Sequence, residues 1–342
     1  MQQPDTRGEP GAVGWPQIAV VIPCYRERGH ILDVLARIPS EISQVICVDD
    51  GCPDNTGEFV VANNNDPRVT VIKNERNQGV GSATKRGYVA AIAADVDVVV
   101  KLDGDGQMDP DLIPVLVAPI VEGFADYTKG NRFFSAEHTV SMPRYRIAGN
   151  VVMSFVSKFS AGYWQLFDPN NGFTAIHRAV LELIPLDKVS DDYFFESDML
   201  FRLNTLQAVV VDIPMLAKYG DEESHLKMSA ALPVFAKKHT ANFAKRILYG
   251  YFLRNFSVAS IQWILGPILF LFGMGFGFYQ WYLSNSAATA ATAGTVMLAA
   301  LPIIVGLQFI LSAIDFDVKS TPTFPLHKLL PVKSRSNTRL PE

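Results

Sequence analysis

Short, fully apolar runs alternate with amphipathic stretches through the first hundred residues. Ile18-Ala-Val-Val-Ile22 is a continuous apolar run closed by Pro23, a helical pattern covers 29–38, and Gln44-Val-Ile-Cys-Val48 makes a second run closed by Asp49-Asp50-Gly51. The alternation continues with a helix near 56–63, a strand at 69–73, a helix near 81–94 and the run Asp97-Val-Val-Val-Lys-Leu102. Strands that are apolar throughout are buried on both faces, so the pattern predicts an α/β fold with a mostly parallel sheet covered by helices. Ligands of such sheets bind beyond the carboxyl ends of the strands. Pro23-Cys-Tyr-Arg-Glu27, Asp49-Asp50-Gly51 and Asp103-Gly104-Asp105-Gly-Gln107 all fall at such ends. Three polar clusters therefore converge on one rim.

The pattern changes towards the C-terminus. No Asp or Glu occurs from Ser224 to Ile314, and Asn255 to Ile314 carries no charge of either sign. Ser284-Asn285-Ser286 divides this block into stretches at about 257–283 and 288–314. Each is long enough to cross a hydrocarbon core of roughly 30 Å at about 1.5 Å per residue, which predicts a pair of transmembrane helices. The alternative is two helices buried in a large soluble core. Trp263, Tyr279, Trp281 and Tyr282 suit a bilayer interface, and the Gly273-x-x-x-Gly277 spacing permits close helix approach, including association into a homo-oligomer. Lysines and arginines before the first stretch and after the second predict cytoplasmic flanks. The segment 233–256 mixes Lys237, Lys238, Lys245 and Arg246 with Phe235, Phe243, Leu248 and Tyr251, the composition of a helix lying on a membrane surface, or of a plain anchor. The expected organisation is a flexible N-terminus (1–16), a catalytic domain (17–225), a basic interface segment (226–256), a membrane hairpin (257–314) and a cytoplasmic tail (315–342).

Composition narrows the partners. The 342 residues, 49% hydrophobic, suffice for one large α/β domain with an appendage, and a formal charge of −4 gives no basic field for nucleic acid. Residues 1–15 show no secretory signal pattern, and Cys24, Cys47 and Cys52 lack Cys-x-x-Cys spacing, so they read as ordinary thiols of a reducing compartment. Gly79-Val-Gly81-Ser-Ala-Thr84 follows the third strand and lacks the third Gly of a dinucleotide fingerprint, and no Walker loop is present. A calcium loop starting at Asp103 would need Gly at Met108 and Glu at Pro114. The two carboxylates at the end of a buried strand fit a hard divalent cation, Mg²⁺ or Mn²⁺, shared with substrate phosphates.

Several motifs in order resemble a family 2 glycosyltransferase of the nucleotide-sugar-binding GT-A fold: Val-Ile-Pro-Cys-Tyr-Arg-Glu at 21–27, Val-Asp-Asp-Gly at 48–51, Asn77-Gln-Gly-Val-Gly81, Leu-Asp-Gly-Asp-Gly-Gln at 102–107 and Gly130-Asn-Arg132-Phe. Asp168-Pro-Asn-Asn-Gly172-Phe, Phe195-Glu-Ser-Asp198 and Tyr219-Gly-Asp-Glu-Glu-Ser resemble the subgroup that transfers sugars to polyprenyl phosphates, such as dolichyl-phosphate mannose synthases and undecaprenyl-phosphate glucosyltransferases. Cys52 stands where many relatives have Ser, which removes a hydrogen bond from that turn, and Arg26 where Asn is common. No Gln-x-x-Arg-Trp motif of processive synthases occurs, which favours transfer of a single sugar.

The resemblance implies roles. Pro23, Tyr25, Glu27 and Asp50 would hold the nucleoside of a nucleotide sugar, with helix capping as the alternative for Asp50. Asp103, Gly104, Asp105 and Gln107 would surround the metal and diphosphate, Asp105 as a direct ligand. A polyprenyl monophosphate, with a second pKa of about 6, is already largely a dianion, so it needs cations more than a general base. Arg132, then Arg144 and Arg146, are the candidates, because guanidinium forks match phosphate oxygens. Lys85 and Arg86 read as solvated. Glu196 and Asp198 would orient sugar hydroxyls, although Asp198 with Arg202 also makes an i,i+4 pair. His177 reads as structural. The implied reaction is inverting transfer of one hexose, from UDP-glucose or GDP-mannose, by an integral protein of the plasma or inner membrane with both termini cytoplasmic. The alternatives are transfer to a diacylglycerol-type lipid, which would need a base, and a silent scaffold that senses nucleotide sugars.

Overall fold

The computed structural model describes residues 16–134, 144–215 and 228–331. Among them, β1 (Ile18–Cys24), β2 (Gln44–Asp49), β3 (Val69–Lys73), β4 (Val98–Lys101), β5 (Tyr127–Asn131), β6 (Thr174–His177) and β7 (Val210–Pro214) form one sheet in the order β3-β2-β1-β4-β6-β5-β7. The β1–β2, β2–β3, β1–β4 and β5–β7 pairs are parallel, as the apolar runs predict. β6 runs antiparallel to both β4 and β5. Its first residues therefore start from the rim where β4 and β5 end, which brings the loop 168–173 to the polar clusters.

Helices α1 (Ile31–Ala36), α2 (Thr56–Asn63), α3 (Val80–Ala93) and α4 (Ile113–Val121) follow their strands in the expected places. The core divides by the period-2 rule of strands. Val20, Ile22, Val45 and Val100 pack with α1 and α4 on one face, whereas Val21, Ile46 and Val99 pack on the other with α3 and with α6 (Phe195–Leu206). Pro23 does not close β1 but lies within it. Pairing to β4 ends at Val21, so a residue without an amide proton is tolerated two residues further on.

After α5 (Arg144–Ala161) and the long α7 (Met228–Ile247), a π-helical segment Leu248–Arg254 leads into α8 (Val258–Ser286) and α9 (Ala293–Lys319). α8 and α9 are both long and apolar enough to cross a membrane. Leu271, Phe278, Trp281, Leu298 and Ile304 point outwards, so neither helix is the buried core helix of a soluble protein. The two pack at small residues: a Cβ on Gly273 would lie 2.8 Å from the Ala299 carbonyl oxygen, and one on Gly306 2.5 Å from the Phe270 amide nitrogen. Gly273 is thus spent on the hairpin's own contact. α9 begins five residues later than the hydropathy pattern suggests and runs past Ile314, because its last turn finds partners for its charges: Asp315 pairs with Lys319 at 2.6 Å and Asp317 with Arg246 at 2.6 Å.

The chain beyond α9 returns to the sheet. The Leu326 and His327 amides donate to Asp126 at 2.7 and 2.8 Å, and the His327 ring lies 2.7 Å from the same carboxylate and stacks on His177. Residues 320–331 are therefore a strap beneath β5, at the end of the sheet opposite the polar rim.

Candidate active site

The carboxyl ends of β1, β2, β4 and β5 and the start of β6 meet on one rim. Asp49 caps α2, accepting from the amides of Cys52 and Gly57 at 2.7 Å each. The capping weighed for Asp50 thus falls to its neighbour. Asp50, 3% exposed, accepts from Asn74 Nδ2 (2.7 Å) and from the amides of Gln78 (3.1 Å to each oxygen) and Gly79 (2.8 Å). It fixes the loop that starts α3, beside an open cavity of about 440 Å³ lined by Gly51, Cys52, Lys73, Asn74 and Glu75. Cys52 keeps its turn bonded after all, since Sγ accepts from the Arg26 amide at 3.0 Å and lies 3.1 Å from Thr56 Oγ1. Tyr25 is exposed beneath the Arg26 guanidinium. Glu27 covers the Asp-Gly-Asp loop, its Cγ being 3.2 Å from where a Cβ on Gly104 would lie.

Asp105 Oδ1 accepts from the Gln107 amide at 2.9 Å and so closes the turn that holds the loop. Asp103, Asp105 and Gln107 are all partly exposed at the mouth. Among the described residues no group of three or more His, Cys, Asp or Glu gathers as a metal cage. Two half-open carboxylates are the donor set that Mg²⁺ or Mn²⁺ accepts when phosphate oxygens and water complete the shell, so the residues present fit such an ion.

Two buried cations support this rim. Lys101, the last residue of β4, places Nζ 2.6 Å from Asp103 Oδ1, 3.2 Å from Glu196 Oε1 and 3.4 Å from the Gly172 carbonyl oxygen. Burial would lower the lysine's pKa, but the charges of Asp103 and Glu196 more than offset it and hold it above its ordinary value. Burial pushes Glu196 up, against the pull of Lys101 and with Asp103 adding to the rise. Lys129, on β5, is tied to Asp212 of β7 at 2.9 Å.

Arg132 follows β5 and is gripped by Asp168 in the loop before β6: Nε to Oδ2 and Nη2 to Oδ1, both 2.7 Å, with Asn171 Nδ2 donating to Oδ2 at 3.1 Å. Asp168 is 1% exposed. Burial raises its pKa, yet the hydrogen bonds and charge of Arg132 hold it below the usual carboxylate value. The bidentate fork expected to face a phosphate thus rests on a carboxylate of the chain itself. The side chains of Arg144 and Arg146, at the start of α5, lie outside the described residues, as does the Tyr219–Ser224 motif.

Asp198 is held by partners within the protein. Its oxygens take the Ser190 amide (3.0 Å), Arg202 (3.2 and 3.3 Å) and Asn242 Nδ2 on α7 (3.0 Å), so the i,i+4 alternative holds and the residue ties the rim to α7. Lys85 and Arg86 are not merely solvated. Lys85 holds the Val189 carbonyl at 2.8 Å and Asp191 at 2.6 Å, and Arg86 binds Asn74 and the Lys73 carbonyl. Motif reading gave no role to Lys101 or Asp168. A lysine inside an otherwise apolar strand run, and an acid opening an Asp-Pro-Asn-Asn-Gly turn, are the signals that mark them.

A mostly parallel sheet with a carboxylate pair at its carboxyl rim is a GT-A-like fold. Residues 19–184 match the glycosyl transferase family 2 domain, and the chain belongs to that family. It is 31% identical over 218 residues to a UDP-N-acetylglucosamine–dolichyl-phosphate N-acetylglucosaminyltransferase of Methanococcus voltae, covering 60% of this chain and 86% of the relative. It is 31% identical to a polyprenol monophosphomannose synthase of Mycolicibacterium smegmatis (57% and 75% covered) and 29% identical to an undecaprenyl-phosphate mannosyltransferase of Micrococcus luteus (58% and 82%). A solved glucosyl-3-phosphoglycerate synthase of Mycobacterium tuberculosis, in complex with Mn²⁺, UDP-glucose and phosphoglyceric acid, shares the fold at a TM-score of 0.50 and 19% identity, over 68% of this chain and 79% of that one.

Proposed function

We propose that this protein transfers a single hexose, with inversion, from a nucleotide sugar to a polyprenyl phosphate such as undecaprenyl or dolichyl phosphate at the cytoplasmic face of a membrane. The observation that carries the reading is the Asp103–Asp105 loop, open at the rim of a domain whose α7 holds both α5 and the root of an apolar hairpin, Arg246 binding the Phe159 carbonyl and Asp317. The relatives named for transfer to lipid phosphates support it. UDP-glucose and GDP-mannose are the donors proposed first.

Asp50, with Pro23, Tyr25 and Glu27, shapes the nucleoside wall, and Asp103, Asp105 and Gln107 face the diphosphate. A divalent ion held there supplies charge neutralisation for the departing nucleoside diphosphate. Glu196, buried and fixed by Lys101, orients sugar hydroxyls. Arg132 supplies positive charge to the acceptor side, its direction set by Asp168. The acceptor oxygen arrives ionised, so no residue has to remove its proton. α7, with Lys237, Lys238 and Lys245, lies along the bilayer surface and brings the rim to the lipid.

The raised pKa of Glu196 favours one second reading, a base that deprotonates a diacylglycerol-type hydroxyl acceptor. The test is a donor panel offered with undecaprenyl and dolichyl phosphate, with and without EDTA. Release of nucleoside diphosphate that needs both the lipid phosphate and the metal supports the proposal. Turnover unaffected by EDTA overturns its metal site, and no turnover with either lipid overturns its acceptor.

A further inference from the structure

Lys101 is 1% exposed, although lysines ordinarily keep the ammonium in water. Its three contacts match the three donors of an ammonium and come from three parts of the chain: Asp103 from the loop after β4, Glu196 from α6, and the Gly172 carbonyl from the loop entering β6. Two carboxylates brought to one place, Glu196 buried and Asp103 partly exposed, repel, and a buried charge is tolerated only when paired. A single cation between them offsets both. The fit leaves no slack, because a Cβ on Gly172 would lie 2.5 Å from both Asp103 Oδ2 and Lys101 Nζ.

We propose that Lys101 is the positioning residue of the donor site, one buried cation that sets the metal-facing carboxylate of Asp103 and the sugar-facing carboxylate of Glu196 as a single unit. It touches no substrate and acts through those two groups. The inference rests on the donor-site reading above. Its consequence is that metal-supported binding of the diphosphate and orientation of the sugar are coupled through the sheet, and that both fail when the ammonium is removed.

The test uses the full-length protein in nanodiscs and reads the binding of UDP and GDP with and without Mn²⁺, kcat and donor KM, and the unfolding midpoint. Lys101→Met should weaken the Mn²⁺-dependent binding at least tenfold, and by more than it weakens metal-free binding. In a Glu196→Gln background, the same substitution should cost at least threefold less in kcat than in the wild type, because one of its two dependants is already gone. A lysine that merely filled space would give equal losses in both backgrounds. Gly172→Ala approaches the same atoms from the other side and should reproduce the loss of Mn²⁺-dependent binding if Lys101→Met does not fold. Wild-type protein that binds neither nucleotide in an Mn²⁺-dependent way overturns the donor-site reading itself. Wild-type Mn²⁺-dependent binding that both variants leave intact overturns the role of Lys101 alone.

Discussion

At the root of the hairpin, Asp317 of α9 is surrounded by donors: Arg246 at 2.6 and 2.9 Å, Tyr251 Oη at 2.7 Å and Trp164 Nε1 at 2.8 Å. At the rim, Lys101 is shared between Asp103 and Glu196, and the Asp103 side chain is 29% exposed. Both regions bury charge, but the first is closed on itself and the second is left open on one side. Asp317 and Arg246 are each 5% exposed and bring together four segments: the loop after α5, α7, the π-helical turn and α9. Such a pair adds little net stability over apolar packing, yet it fixes one arrangement of the parts, because any other leaves a buried charge unpaired. At the rim the Asp103 carboxylate stays within reach of solvent, as the proposed cation and diphosphate require. In the proposed function, the first cluster ties the domain to the hairpin and the second serves the transfer.

The comparison is broken most directly by exchanging effects between the two regions. Asp105→Ala should lower turnover on the order of 10²-fold or more while costing only about 1 kcal/mol of stability for the lost turn hydrogen bond, measured by nucleoside diphosphate release and calorimetry. Asp317→Ala should do the opposite. It leaves the Arg246 guanidinium buried without its carboxylate and should destabilise the fold by about 3–5 kcal/mol, while the turnover of molecules still folded is kept. A variant at Asp317 that is stable but inactive would show that the root takes part in catalysis.

Fold and site were unequally legible in the sequence. The apolar runs of β1 to β4 carry their own signal, since a strand buried on both faces admits few polar residues. The rim clusters follow from strand direction, and the two apolar helices from length and charge alone. Three things depend on contacts far apart in sequence and escaped. The reversal of β6 is set by where the loop 162–173 crosses the sheet, and a four-residue strand does not announce its direction. Lys101 looks like a break in an apolar run until Glu196, nearly a hundred positions later, comes to face it. Asp198 has an acidic residue's usual options, and only the placement of Asn242 and Ser190 decides among them.

Smaller effects sharpen the same contrast. Burial lowers His177 and His239 to about 4, well below their unfolded values. Between the unfolded pKa of about 6.5 and the folded one, the unfolded chain binds more protons, so stability should fall as the pH drops through that window. His177→Gln should flatten part of the slope, which unfolding curves at pH 7 and pH 5 would show; an unchanged slope would remove His177 as a cause. Trp164→Phe withdraws one of the donors to Asp317 and should cost about 1 kcal/mol, the smallest of these changes, because the other donors remain.

The central claim is that the acceptor is a lipid phosphate that attacks without help from a base. The most direct measurement offers labelled donor, Mn²⁺ and vesicles holding equal amounts of undecaprenyl phosphate and diacylglycerol, and asks which lipid carries the label. The account predicts label on the phosphate lipid alone, at a rate that Asp105→Ala abolishes and Glu196→Gln reduces only in part. Label on diacylglycerol, lost completely in Glu196→Gln, would contradict it.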